Sequence, residues 1–124
     1  MIDGHCVLCE AIRLRNDSWI AAWEPFPVNI GHMKIIPLRH DATLFDLAEK
    51  EEREFWLILK QAKEYLDSSL GSHRPDGYNL GVNIGEAAGQ TIAHLHIHLI
   101  PRYKGDVENP RGGVRNIKPV LVSW

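Results

Sequence analysis

Three histidines alternate with apolar residues late in the chain: His94, His96 and His98 against Ala93, Leu95, Ile97 and Leu99. Strict alternation is the period of a half-buried strand, so it predicts the apolar side chains on one face and all three imidazoles on the other. Neighbouring rings on such a face stand roughly 6.5–7 Å apart, two strand rises. Each ring carries two nitrogens that need partners, which makes a row of imidazoles poor packing material. An ordinary outward polar face would be served by Thr, Lys or Glu, and histidine has no particular β propensity. What the three residues share is chemistry near neutral pH, because imidazole is a metal ligand, a general acid or base, and a nucleophile. A second reactive pair is Cys6 and Cys9, spaced Cys-x-x-Cys. That spacing suggests half of a metal site or a redox pair. A redox pair should cap a helix in a βαβ unit, and no such unit follows, while a zinc site needs four ligands. Taken alone, the motif leaves zinc and two incidental thiols both open.

The elements that must position these residues follow from periodicity. Ser18–Glu24 (SWIAAWE) reads as a strand ending at Pro25, and His32–Leu38 (HMKIIPL) as the next strand, antiparallel because the connection is short. Pro37 has no N–H to donate, so it belongs at a strand end or edge. Asp41–Leu47 is a turn-like connection. Glu49–Leu70 carries Phe55, Ile58, Leu59, Ala62, Tyr65, Leu66 and Leu70 at three- and four-residue steps, the mark of an amphipathic helix. Glu49, Glu51 and Glu52 suit its N-terminal dipole, and Gly71 its end. Tyr78–Ile84 is a strand, GEAAGQ a glycine-containing loop, and the histidine strand follows. Beyond Pro101 the chain is rich in Gly, Pro and charge, either a surface tail or a ligand loop whose Arg102, Lys104, Arg111, Arg115 and Lys118 meet phosphates. The order β-β-α-β-β predicts an α+β domain: an antiparallel sheet with one long helix packed on a face.

Length and composition bound the function. One domain over residues 1–124 is the expectation for a chain of this size. A formal charge of −2 argues against a general nucleic-acid binder, which is usually basic, but leaves room for a small anionic ligand. The N-terminal MIDGHCVLCEAIRLR lacks the apolar run of a signal peptide, and no segment is long enough to span a bilayer. The expectation is a cytoplasmic protein with neither membrane nor nucleic-acid partner, in which two cysteines do not form a structural disulfide.

The stretch GQTIAHLHIHLIPR resembles the signature of the histidine-triad (HIT) superfamily: His-x-His-x-His, two apolar residues, and a Gly-Gln upstream. VNIGHMKIIPLRH, YNLGVNIGEAAGQ and GDVENPRGG resemble that family in order and spacing, most closely its zinc-containing bacterial members that are like dinucleoside polyphosphate hydrolases. The resemblance implies an enzyme that binds a nucleotide and breaks a bond at its α-phosphate, and a homodimer in which two sheets continue into one. It implies that His96 attacks phosphorus and forms a nucleotidyl-histidine that water then hydrolyses. By the same resemblance His98 sits beside the bridging or leaving oxygen, and His94 supports the pair or binds metal. Gln90, Thr91 and Asn83 match phosphate contacts. Glu24 matches a ribose-binding position where relatives carry Asp or Asn, a departure of one methylene. His32 takes a structural role in this reading. Cys6, Cys9, His40 and His94 match the four ligands of a structural zinc. The first choice of activity is diadenosine polyphosphate cleavage releasing AMP. The alternatives are nucleoside phosphoramidate hydrolysis and, in another class, a zinc-stabilised nucleotide-binding module without turnover.

Overall fold

The computed structural model describes residues 12–118 and residue 122. Cys6 and Cys9 lie outside the described residues. The elements run β1 (Ile12–Arg15), β2 (Trp19–Trp23), β3 (Met33–Pro37), α1 (Glu49–Ser69), β4 (Gly77–Val82) and β5 (Ile97–Arg102). The strands form one antiparallel sheet in the order β1-β2-β3-β5-β4. This is the predicted α+β arrangement with one strand more than expected. The extra strand, β1, is only four residues long, and it is held by a polar device that periodicity does not register. Asn16 Oδ1 accepts the N–H groups of Ser18 and Trp19, which closes the β1–β2 turn. Its Nδ2 donates to the Glu54 carbonyl and ties that turn to the helix.

α1 lies within one residue of its predicted span. Its N-terminus is capped by Glu51, whose carboxylate accepts the Ala48 N–H at 2.8 Å. Arg39 donates to the same carboxylate from Nε and Nη2, which anchors the chain leaving β3 to the start of the helix. The chain turns at Gly71 in the left-handed region, φ +58°, just past the helix end.

The sheet has two unlike faces. Trp19, Ala21, Met33, Ile35, Ile97 and Leu99 pack against Phe55, Ile58, Ala62 and Leu66 of α1, all buried. Side chains alternate across a strand, so the opposite face carries Ile20 and Ala22 of β2, Lys34 and Ile36 of β3, and His98 of β5. Ile20, Ala22 and Ile36 form a second small apolar cluster there, with Leu38 against it. Among the described residues, no helix is long and apolar enough to cross a membrane.

One expectation about the histidines fails. The ladder of β5 begins only at Ile97, so His94 and His96 precede the strand that the alternation predicted would carry all three. The cause lies in β3. Its pairing with β5 runs through Met33–Leu99, Lys34–His98 and Ile35–Ile97, and the strand ends at Pro37. Pro37 has no N–H to extend the ladder, and its carbonyl is taken by the His94 side chain instead, Nε2 to O 2.8 Å.

Candidate functional site

Each triad ring is oriented by a hydrogen bond, and each bond implies a tautomer. A carbonyl can only accept, so His96 Nδ1–H donates to the His94 carbonyl at 2.9 Å. The lone pair of neutral His96 is then on Nε2, at the far side of a half-buried ring. By the same logic His94 Nε2–H donates to Pro37, and the acceptor nitrogen of its ring is Nδ1.

His98 is set by a chain of three links. The backbone N–H of Val28 donates to His32 Nδ1 at 3.0 Å, so that nitrogen carries no proton. Neutral His32 must then hold its proton on Nε2, which lies 2.9 Å from His98 Nδ1 and donates to it. His98 Nδ1 is therefore an acceptor, and the ring's N–H is on Nε2. Neutral His96 thus offers a lone pair and neutral His98 a proton, from rings whose centroids are 5.2 Å apart. His32, read as structural from the sequence, is the residue that joins this cluster unforeseen. The signal was present: it stands two residues before Lys34 and is the strand-start histidine on the face that carries His98.

Burial gives this relay a pH dependence. Desolvation, helped by the neighbouring His98 and opposed by Glu24, lowers the His32 pKa to about 4. Desolvation also lowers those of His98 and His94. An unfolded chain protonates its histidines near pH 6.5, so between about pH 6.5 and 4 it binds more protons than the folded chain. Stability is expected to fall as pH falls through that window, by up to roughly 3 kcal/mol from His32 alone. Urea denaturation at pH 7 and pH 5 checks this, with His32→Gln expected to flatten the slope. Equal slopes in the two proteins would sink the assignment.

Glu24 follows β2 directly, its N–H donating to the His32 carbonyl. Oε2 accepts the Phe26 N–H at 3.1 Å, and Oε1 stands 4.0 Å from His98 Nδ1. The structure therefore brings Glu24, His32, His96 and His98 together. One ligand atom each from Glu24, His32 and His98 lies within 4.8 Å of the others, a spacing that a cation would fit. Both nitrogens of His32 and Nδ1 of His98 are already committed to the relay, so a metal would have to break it. His40 and His94 form a second pair, their rings stacked with centroids 4.0 Å apart. His94 donates its other ring N–H to a backbone carbonyl, the outer partner usual for a metal-bound imidazole.

The loop residues divide. Asn83 follows Val82, whose β5 partner Ile97 is the residue after His96. Gln90 turns its amide onto its own loop: Oε1 accepts the Gly85 N–H and Nε2 donates to the Ile92 carbonyl. It shapes the turn and keeps one amide hydrogen for a ligand. Asn83 and Gln90 line a small cavity of about 130 Å³ with Asp41–Leu44. Thr91 is exposed. Arg102, one of the tail cations, is engaged by Asp106 through two nitrogens and by Asn79.

Comparison with known proteins bears on this geometry. The HIT domain model matches residues 9–105. A HIT-like protein of Methanocaldococcus jannaschii is 32% identical over 121 residues, covering 90% of this chain and 91% of the relative. An AP-4-A phosphorylase of Mycobacterium tuberculosis is 37% identical over 82 residues, 65% of this chain but only 40% of the relative's length. A bis(5'-adenosyl)-triphosphatase of Dictyostelium discoideum is 35% identical over 83 residues, 67% of this chain and 54% of its own. Among solved structures, a HIT family protein of Bacillus anthracis superposes with a TM-score of 0.68 at 26% identity, over 86% of this chain and 82% of that one. From a domain match that spans most of its length and a sheet, helix and histidine cluster laid out as above, the chain belongs to the HIT domain family.

Proposed function

We propose that the protein is a nucleotide hydrolase or transferase acting at an α-phosphate, with diadenosine polyphosphates as its first-choice substrates. One observation carries the reading: the hydrogen bonds give His96 a lone pair at Nε2 and its neighbour His98 a proton at Nε2. Relatives named for AP-4-A and bis(5'-adenosyl)-triphosphate chemistry support the substrate class. In this mechanism His96 Nε2 forms a bond to the α-phosphorus while the bond to the leaving oxygen breaks, and His98 Nε2–H protonates that oxygen. Water then adds to phosphorus as the N–P bond breaks, its proton passing to His98, and the nucleoside monophosphate leaves. Glu24 accepts hydrogen bonds from the ribose hydroxyls, and Asn83, Gln90 and Thr91 surround the phosphate.

A zinc ion held by Cys6, Cys9, His40 and His94 would tie the N-terminal segment to the catalytic turn and fix the carbonyl that orients His96. A second copy of the chain fits the free edge of β4, where exposed Leu80 borders a cleft of about 370 Å³ with Phe55, Trp56 and Leu47. The same reading makes the protein a cytoplasmic homodimer.

The test is a turnover panel of Ap3A, Ap4A and an adenosine phosphoramidate, run in metal-stripped buffer beside elemental analysis. AMP release from the polyphosphates and about one zinc per chain are expected. Faster release from the phosphoramidate would replace the substrate assignment. No release from any of the three by folded protein would overturn the enzyme reading.

A further inference from the structure

Lys34 is absorbed by neither the core nor the mechanism. It lies on β3 in the middle of the sheet, 2% exposed, and pairs with Ala22 of β2 on one side and His98 of β5 on the other. Its side chain is on the His98 face, not on the face that packs against α1. Its ammonium makes no hydrogen bond or ion pair among the described residues, although a buried charge without a partner is costly. Every fully buried side-chain nitrogen or oxygen among those residues has a hydrogen-bond partner, so the small accessible part of Lys34 includes the ammonium itself. That opening belongs to the face of Glu24, His32 and His98. The ammonium is close enough to contribute to the lowered pKa values of both His32 and His98.

The charges around it point to its ligand. His32 and His98 are neutral at pH 7, and Glu24 adds a negative charge. The guanidinium groups of Arg39 and Arg102 are engaged elsewhere, by Glu51 and Asp46 and by Asp106. Among the described residues, a phosphate arriving at His96 and His98 would thus meet one uncommitted buried cation, Lys34.

We infer that Lys34 is a phosphate-recognition residue of the site, an ammonium held without a protein partner so that it pairs with the anionic group of the substrate. The inference rests on the nucleotide reading above and adds a residue to it. An ammonium–phosphate hydrogen bond acts on the charged ligand alone, so it separates AMP from adenosine. It also separates binding from stability. Exchanging Lys34 for a methionine of similar shape breaks no hydrogen bond or ion pair among the described residues and should leave the fold at least as stable.

The experiment measures calorimetric affinities for AMP and adenosine, with thermal melting, for wild type, Lys34→Met and Lys34→Arg. Lys34→Met should weaken AMP binding by about ten- to a hundredfold, leave adenosine within about twofold, and melt no lower than wild type. Lys34→Arg keeps the charge and should keep the preference for AMP. An unchanged ratio of AMP to adenosine affinity in Lys34→Met would overturn the inference. So would an equal loss for both ligands, which places the lysine under the nucleoside, or a variant that no longer folds, which makes its part structural. A wild type that binds neither ligand would overturn the nucleotide reading together with this one, whereas failure of the lysine alone leaves AMP binding intact.

Discussion

Replacing His96 with alanine is expected to lower turnover by on the order of 10⁴- to 10⁶-fold, the scale seen when an enzyme loses its nucleophile. The fold should survive. His96 is half-buried and its ring makes one hydrogen bond among the described residues, to the His94 carbonyl, so the stability loss is about 1 kcal/mol. AMP binding should fall only a few-fold, because Glu24, Asn83, Gln90 and Lys34 are untouched. His98→Ala should behave differently: its Nε2–H serves the departing atom, so substrates with good leaving groups should suffer less than those with poor ones. The direct measurement is rapid quench of wild type with labelled substrate, followed by mass spectrometry of the peptide spanning residues 91–102. An adduct on His94 or His98, or wild-type rates in His96→Ala, would remove His96 from its assigned place.

The second large effect is on stability, at a glycine. Gly31→Ala should cost about 2–4 kcal/mol, from two sources that add. Gly31 has φ +88°, a conformation disfavoured for alanine. A Cβ there would also lie 2.8 Å from Leu70 Cδ1, 3.1 Å from Pro101 Cγ and 3.3 Å from Leu66 Cδ2. The Leu70 terminus can swing away, but Leu66 and Pro101 are fully buried and cannot. The damage should reach the site, since the next residue is His32 and a shift at the start of β3 lengthens its bond to His98. Gly71→Ala is the control. Its φ is also positive, +58°, but nothing lies within 4 Å of the added methyl, so about 1 kcal/mol is expected. Equal urea midpoints for the two variants would show that backbone strain, not the packed contact, sets the cost.

Much of the fold was legible because its signals are local. The helix was bounded by its stripe of Phe55, Ile58, Ala62 and Leu66 and by its acidic first turn, which depend on residues three and four apart. β2 and β3 were readable as short apolar runs closed by Pro25 and Pro37. β1 was not, because four residues give periodicity almost nothing to repeat, and the group that stabilises the turn is Asn16, a side chain reaching α1 from 38 positions away. Gly31 looked like an ordinary loop glycine, since Leu66 and Pro101 approach it only after the chain has folded.

The residues proposed to react can be named from the sequence alone. Three histidines in alternation, an upstream Gly-Gln and Glu24 before a proline are chemical facts that no packing alters. Which nitrogen of each ring holds the proton was decided only in three dimensions. His96 takes its tautomer from the carbonyl two residues back, His94 from Pro37 across the sheet, and His98 from His32, 66 residues away and itself set by Val28 N–H. Alternation placed all three rings on one face because it assumes that the strand continues. Pro37 has no N–H with which to continue it, and the His94 ring bonds to the carbonyl left behind. Sequence spacing can state that an imidazole is present, but its role as donor or acceptor belongs to the partner that folding places against it.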